Sequence, residues 1–312
     1  MNGPRKHYTV QAFSPTIESV PQVLPNARIE SRAFNRAHVL DAPTPLRLWH
    51  LASLDAPSVA MVWSLAFAWA AGIHLPLWIP PLLALAVWSV YVADRLLDAR
   101  SALRSTQIHR LRDRHFFHWR HRRVLLPMAV AAAAAAACLI FGFMPPLVLE
   151  RNSVLAAASL VYFTRVHTAR KHAPFLSKEL LVGLLFTAGC VLPALSRAEL
   201  PRHALLWTLL VPAAVFALLA WLNCHAIDRW EAHPPSNRSA ILLLAALLAL
   251  AAIALAAFPS TQPRSAALLL AAALSALLIA LLDRLRAHLA PLALRALADL
   301  VLLTPALLLT LK

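Results

Sequence analysis

The sequence predicts an all-α fold: a polytopic integral membrane bundle of about nine transmembrane helices. Three observations carry that prediction. Of 312 residues, 60% are hydrophobic and only 14% charged, with a mean hydropathy of +0.66. A soluble domain is about 45–50% apolar and about 25% charged, so a soluble enzyme, a disordered chain and a disulfide scaffold are all excluded. Apolar stretches of bilayer-spanning length, roughly 17–25 residues, recur from residue 57 onward, with the cations interleaved between them.

Residues 1–50 stand apart. They hold Pro4, Pro15, Pro21, Pro25, Pro43 and Pro45, six Lys/Arg and no long apolar run. They read as a disordered, basic, Pro-rich cytoplasmic tail with no signal peptide, which leaves residues 51–312 as the transmembrane domain. The expected spans are 57–75, 77–97, 124–143, 147–164, 179–196, 204–224, 240–258, 265–282 and 291–311. Prolines at 80, 81, 193, 212 and 305 fall inside or near the span ends, where membrane helices tolerate them.

Charge tests the count. The chain has 29 Lys+Arg, 14 Asp+Glu and a net charge of +15. With a cytoplasmic N-terminus, 24 of the 29 cations fall inside and only Arg151, Arg197, Arg202, Arg264 and Lys312 outside. That asymmetry is the positive-inside rule, and a span miscounted by one would scramble it. The excess positive charge therefore points to anionic membrane lipids, in a bacterial inner (plasma) membrane, and to no nucleic-acid partner. Cys138, Cys190 and Cys224 lie in apolar stretches and read as small hydrophobes.

The acids are few enough to weigh singly. Asp94 and Asp98 close the second span at i,i+4, and Asp228 and Glu231 close the sixth at i,i+3. Like charges on one helix face repel, and a helix C-terminus is the wrong pole for anions. Neighbouring arginines compensate them, or a hard divalent metal does, since Mg²⁺ takes one or two carboxylates plus phosphate oxygens. Two such pairs on the same membrane side, four spans apart, distinguish this chain from a generic bundle.

Around those pairs the sequence resembles the UbiA superfamily of intramembrane prenyltransferases. Tyr91-Val92-Ala93-Asp94-Arg95-Leu96-Leu97-Asp98 is similar to that family's first Asp-rich motif, and Ala226-Ile227-Asp228-Arg229-Trp230-Glu231 to the start of the second. Tyr162-Phe163-Thr164-Arg165 and Leu176-Ser177-Lys178, leading to Gly183, are similar to the basic segment between them. The family's Asn before the first motif is Val90 here, and the second Asp of its second motif falls on Ala232.

The resemblance implies nine helices and a Mg²⁺ cofactor held by Asp94, Asp98, Asp228 and Glu231, the first three being catalytic. It implies substrate contacts from Arg165, Lys178, Arg95 and Asn223. The partners it implies are a prenyl diphosphate donor and a hydrophobic acceptor, aromatic or lipid.

Two other readings stay open: a catalytically inactive or lipid-handling relative of the same fold, and a transporter. A transporter wants its ionisable groups near the bilayer midplane, whereas both pairs here sit at span ends. Arg104–Arg123, rich in Arg and His with Phe116, Phe117 and Trp119 interleaved, reads as an amphipathic segment on anionic lipid. Trp63, Trp69, Trp88 and Tyr162 are either packing residues or lining for a prenyl cavity.

Overall fold

The computed structural model describes residues 44–104, 113–168, 178–231 and 239–310. Among these the chain is helical, with no strand. The elements are α1 Thr44–Leu51, α2 Asp55–Ala70, α3 Ile79–Arg104, α4 Asp113–Arg120, α5 Arg122–Phe143, α6 Pro146–Thr168 and α7 Lys178–Leu195. They continue with α8 Arg202–Glu231, α9 Ser239–Ala256, α10 Pro263–Leu285 and α11 Pro291–Thr310. Residues 206–210 of α8 form a π-helical turn, and 301–310 of α11 are 3₁₀.

A helix coincides with each apolar stretch expected from the sequence. By length and composition α5, α8, α11 and α10 (extended to His288) can cross a membrane, and the bent pair α1 and α2 makes a fifth if it is one span. The apolar faces left outside agree. Leu270, Leu274, Leu277, Leu281 and Leu285 form an exposed stripe on α10, and Leu243, Leu247, Leu250 and Ile253 one on α9. Such contiguous leucine faces are stable against lipid tails and not against water.

The segment expected to be a tail ends differently. Residues 1–43 lie outside the described residues, but Thr44–Leu51 is helix, with His50 and Leu51 buried. The chain then bends by 88° into α2. Ser53 makes that corner with φ +60°, a left-handed conformation that costs a non-glycine residue about 1 kcal/mol or more. At its far end α2 closes on Gly72 at φ +68°. There Ile73 N–H reaches Ala68 O and Gly72 N–H reaches Trp69 O, a Schellman stop that uses glycine's freedom.

The core joins α2, α7, α8, α10 and α11. Trp63 is fully buried, stacks on Phe216 with ring centroids 3.8 Å apart, and donates its Nε1–H to Leu302 O. In this 3₁₀ stretch Pro305 has no N–H to offer Leu302 O, three residues earlier, the carbonyl that Trp63 fills, and Ser275 Oγ donates to Val301 O at 2.7 Å. Thr304, beside it, donates to Ala271 O at 2.8 Å. Two side-chain hydroxyls thus tie the irregular stretch of α11 to α10. Trp88 donates to Ala52 O across to the corner, and Trp69 lies under Arg264. The tryptophans are packing residues; the Tyr162 side chain lies outside what is described.

Gly183 sets the spacing of α7 on α8. A Cβ there would meet Ala217 O at 3.0 Å and Trp221 N at 3.1 Å, both backbone atoms, whereas one at Gly189 meets nothing within 4 Å. Gly183→Ala is expected to force the helices apart and cost about 1–3 kcal/mol. Gly189→Ala, on the same helix, should be neutral or slightly stabilising. Thermal unfolding of the two variants in detergent checks this, and equal melting temperatures would remove the close-approach argument.

Candidate functional site

One face each of α2, α3, α7, α8 and α11 encloses a cavity of about 340 Å³. The lining residues follow helical spacing. From α8 come Ala220, Asn223, Cys224, Ile227, Asp228 and Glu231; from α7 come Glu179, Val182, Gly183 and Phe186. From α11 come Arg295, Asp299 and Leu302, from α3 Tyr91 and Arg95, and from α2 Asp55, Ala56 and Val59; Arg114 of α4 closes one end. The cavity is therefore polarised. Charged residues gather at the end marked by Glu231 and Arg114, and Ala220, Phe186, Val59 and Leu302 line the part further in. From Glu231 to Ala220 is about 16 Å along α8.

A buried polar network holds the charged end together. Glu231 Oε1 accepts from Arg295 at 2.7 Å and from Arg114 at 3.2 Å. Asn223 Nδ2 donates to Asp299 Oδ1 at 3.1 Å. Arg95, only 5% exposed, donates from Nη1 to His50 O and to Ser53 Oγ and places Nη2 3.5 Å from Asp55 Oδ2. His50 Nδ1 lies 2.7 Å from Asp55 Oδ2, an ion pair by distance whose ring N–H does not point along the contact. The same nitrogen is 3.6 Å from Asp299 Oδ2.

The network continues into α4. His118 Nδ1 is 2.8 Å from Arg114 O, which can only accept, so Nδ1 carries the proton. Nε2 then accepts from Ser53 Oγ at 3.0 Å, while Ser53 accepts from Arg95. Burial first, with the Arg95 charge adding to it, holds the His118 imidazole down to about 4. Burial and then Arg114 hold His115 down to about 3. Burial and then Arg295 lower the Arg114 guanidinium to about 10, so it stays charged near neutral pH.

The structure brings part of the expected set together. Asn223, Asp228, Glu231 and Arg95 all line the cavity. Asp94 and Asp98 do not: α3 turns Tyr91 and Arg95 inward, leaving Asp94 half-buried and Asp98 exposed on the face that carries Val90, itself 52% exposed. An i,i+4 pair fixes only that two side chains share a face, and here that face is not the cavity's. Arg165 lies on α6 and Lys178 opens α7, but their side chains, like residue 232, lie outside what is described.

His50, Asp55 and Asp299 were not anticipated. Among the described residues they are the group of three ligand-type side chains whose donor atoms fall within 4.8 Å of one another. An imidazole with two carboxylates suits a transition metal better than Mg²⁺, and Arg95 already places a cation beside Asp55. The signal for Asp299 was present, since an acid inside an apolar stretch is costly unless partnered.

For Mg²⁺ at the cavity the fit is a reduced one. Asp228 and Glu231 are in the wall, and a magnesium that keeps phosphate oxygens and water needs only one or two carboxylates. Among the described residues the wall holds five acids (Asp55, Glu179, Asp228, Glu231, Asp299) and three guanidiniums (Arg95, Arg114, Arg295), a balance that favours a companion cation for an anionic ligand. The chain matches no protein-family model, no curated protein and no solved structure.

Proposed function

We propose that the chain is an intramembrane prenyltransferase-like protein that draws a prenyl diphosphate into this cavity and passes the isoprenyl group to an aromatic or lipid acceptor. The observation that carries the reading is the cavity's division into a charged end and an apolar depth, which is the division of the donor itself. The topology is consistent with nine spans. Of the wall helices, α2, α7 and α11 run inward from the charged end and α3 and α8 return to it, as the first, fifth, ninth, second and sixth of nine alternating spans would. With the N-terminus in the cytoplasm, the charged end is cytoplasmic.

In this reading Asp228, with Glu231, holds the Mg²⁺ that accompanies the diphosphate; when bound, the metal supplies positive charge to the leaving group. Arg114 and Arg295 add fixed positive charge at the same end. The allylic C–O bond breaks with both electrons going to the diphosphate, the acceptor's electron pair forms the new bond to carbon, and the alkylated acceptor loses a proton to the released diphosphate. Phe186, Val59 and Leu302 keep water from the cation. Arg165 and Lys178 stay in the proposal as diphosphate contacts, by resemblance.

Incubating membranes that contain the protein with prenyl diphosphates of several lengths tests this. Mg²⁺-dependent diphosphate release is expected, falling at least about 100-fold in Asp228→Asn, the scale of a lost charge-stabilising group. Asp94→Asn should change it by no more than about threefold, as for a substitution outside the site. Release that Asp228→Asn leaves intact would overturn the assignment. The outward face of Asp94 and Asp98 favours one second reading, a relative that binds the diphosphate without cleaving it. Saturable binding with no release would select that reading.

A further inference from the structure

A second cavity, of about 270 Å³, lies where α8 ends against the turn from α10 into α11. Its lining among the described residues includes Arg229, Arg286 and Arg295 against one acid, Glu231, with Ile227, Trp230, Leu289 and Leu294 as apolar neighbours. Among the described residues three guanidiniums line it with one carboxylate, and with Asp283 paired to Arg286 from outside the wall one positive charge is left in excess in a small, partly apolar space. That is the reverse of the first cavity, where acids outnumber arginines.

Two further features point the same way. Arg295 Nε is buried and has no hydrogen-bond partner among the described residues. A buried N–H of this kind is costly to leave unmade. The N-terminus of α11 also opens here: Pro291 lines the cavity, and Ala290 before it gives no side-chain cap. The uncapped N–H groups of a helix start favour an anion. Two of the arginines already have acids: Arg286 is 3.4 Å from Asp283 Oδ1, which also accepts from Trp230 Nε1 at 2.8 Å, and Arg295 is 2.7 Å from Glu231, which leaves Arg229 as the cation with no ion pair among the described residues.

We propose that this second cavity binds a phosphate group between Arg229, Arg286 and Arg295. The planar fork of arginine suits phosphate oxygens, which it takes in pairs. Apolar side chains share the lining with the arginines, so the phosphate is carried either by a lipid headgroup or by a free phosphate ion. The site is separate from the proposed donor cavity, although Glu231 and Arg295 form the wall between the two.

The test uses the full chain purified in neutral detergent and titrated calorimetrically with inorganic phosphate and, separately, with short-chain phosphatidylglycerol. Saturable binding of the phosphate ion identifies a free anion as the occupant, and binding of the lipid alone identifies a headgroup; either supports the site. Arg229→Gln with Arg286→Gln is expected to weaken binding at least about tenfold, since two charge-assisted contacts are lost. Arg114→Gln, at a residue that lines the first cavity and meets the second only through Glu231, should cost less than the double variant. Arg229 is exposed, so Arg229→Gln alone gives a folded variant with an intermediate loss if the double variant fails to fold. Binding of neither probe by the wild type, or a loss seen in Arg114→Gln and not in the double variant, would overturn the proposal.

Discussion

Replacing Arg95 by Leu is expected to lower the stability of the ligand-free protein by about 3–5 kcal/mol, the usual cost of removing one partner of a buried pair. The reason lies in how much meets at this guanidinium. It donates to the His50 carbonyl at 3.1 Å and to Ser53 Oγ at 2.7 Å, and it stands 3.5 Å from Asp55, which is 2% exposed. These contacts fasten the 88° corner between α1 and α2, with its left-handed Ser53, onto α3. Without Arg95 the Asp55 carboxylate keeps His50 and the Ala56 N–H but loses its guanidinium, and the strained corner loses its anchor.

Lysine should recover little, because one ammonium cannot reach acceptors that a planar fork reaches together. Removing the stranded charge as well, in Arg95→Leu with Asp55→Leu, should recover part of the loss, since a buried pair replaced whole by apolar groups is often neutral. Thermal unfolding in detergent without any ligand is the measurement. It also separates two roles. If Arg95 served only to bind substrate, as the resemblance implied, its removal would leave the ligand-free melting temperature unchanged.

What the sequence made legible divides along a physical line. Hydropathy and charge are properties of a stretch, so the helical stretches were readable, down to the proline-containing break between α2 and α3. The cavity-lining face of α8 was also half visible: Asn223, Asp228 and Glu231 sit at spacings that put them on one side of a helix. The rotation of α3 was not legible. Residues 90, 94 and 98 share one face and 91 and 95 another, and nothing local says which faces inward; packing against α2 and α5 decides it. The α1–α2 corner was hidden in a segment read as a tail. Thr44-Pro45 is a helix-start signal, and Leu46 and Trp49 at i,i+3 share one side, but a helix that short is stable only when packed. Asp55 and Asp299 are far apart in the chain, so their meeting at His50 was beyond any reading of spacing.

Acidification should loosen the same corner from the α4 side. His118 is fully buried and neutral, held down to about 4 chiefly by burial, while an unfolded histidine titrates near 6.5. Between those values the unfolded chain binds more protons than the folded one, so stability is complete above about pH 6.5 and falls as pH drops toward 4. From pH 7 to 5 the loss is about 2 kcal/mol from His118 and about as much from His115, which is held still lower. The hydrogen bonds give the same sign. A second proton on His118 Nε2 would aim a donor at Ser53 Oγ, which already accepts from Arg95, leaving the hydroxyl hydrogen without its acceptor. Melting curves at pH 7.5, 6 and 5 should show the decline in the wild type. His118→Gln and His115→Gln should each flatten it by about half, whatever either does to stability at pH 7.5. A slope that survives both substitutions would place the titrating groups elsewhere. A flattened slope would show that the α4 histidines support the α1–α2 corner through their neutral form.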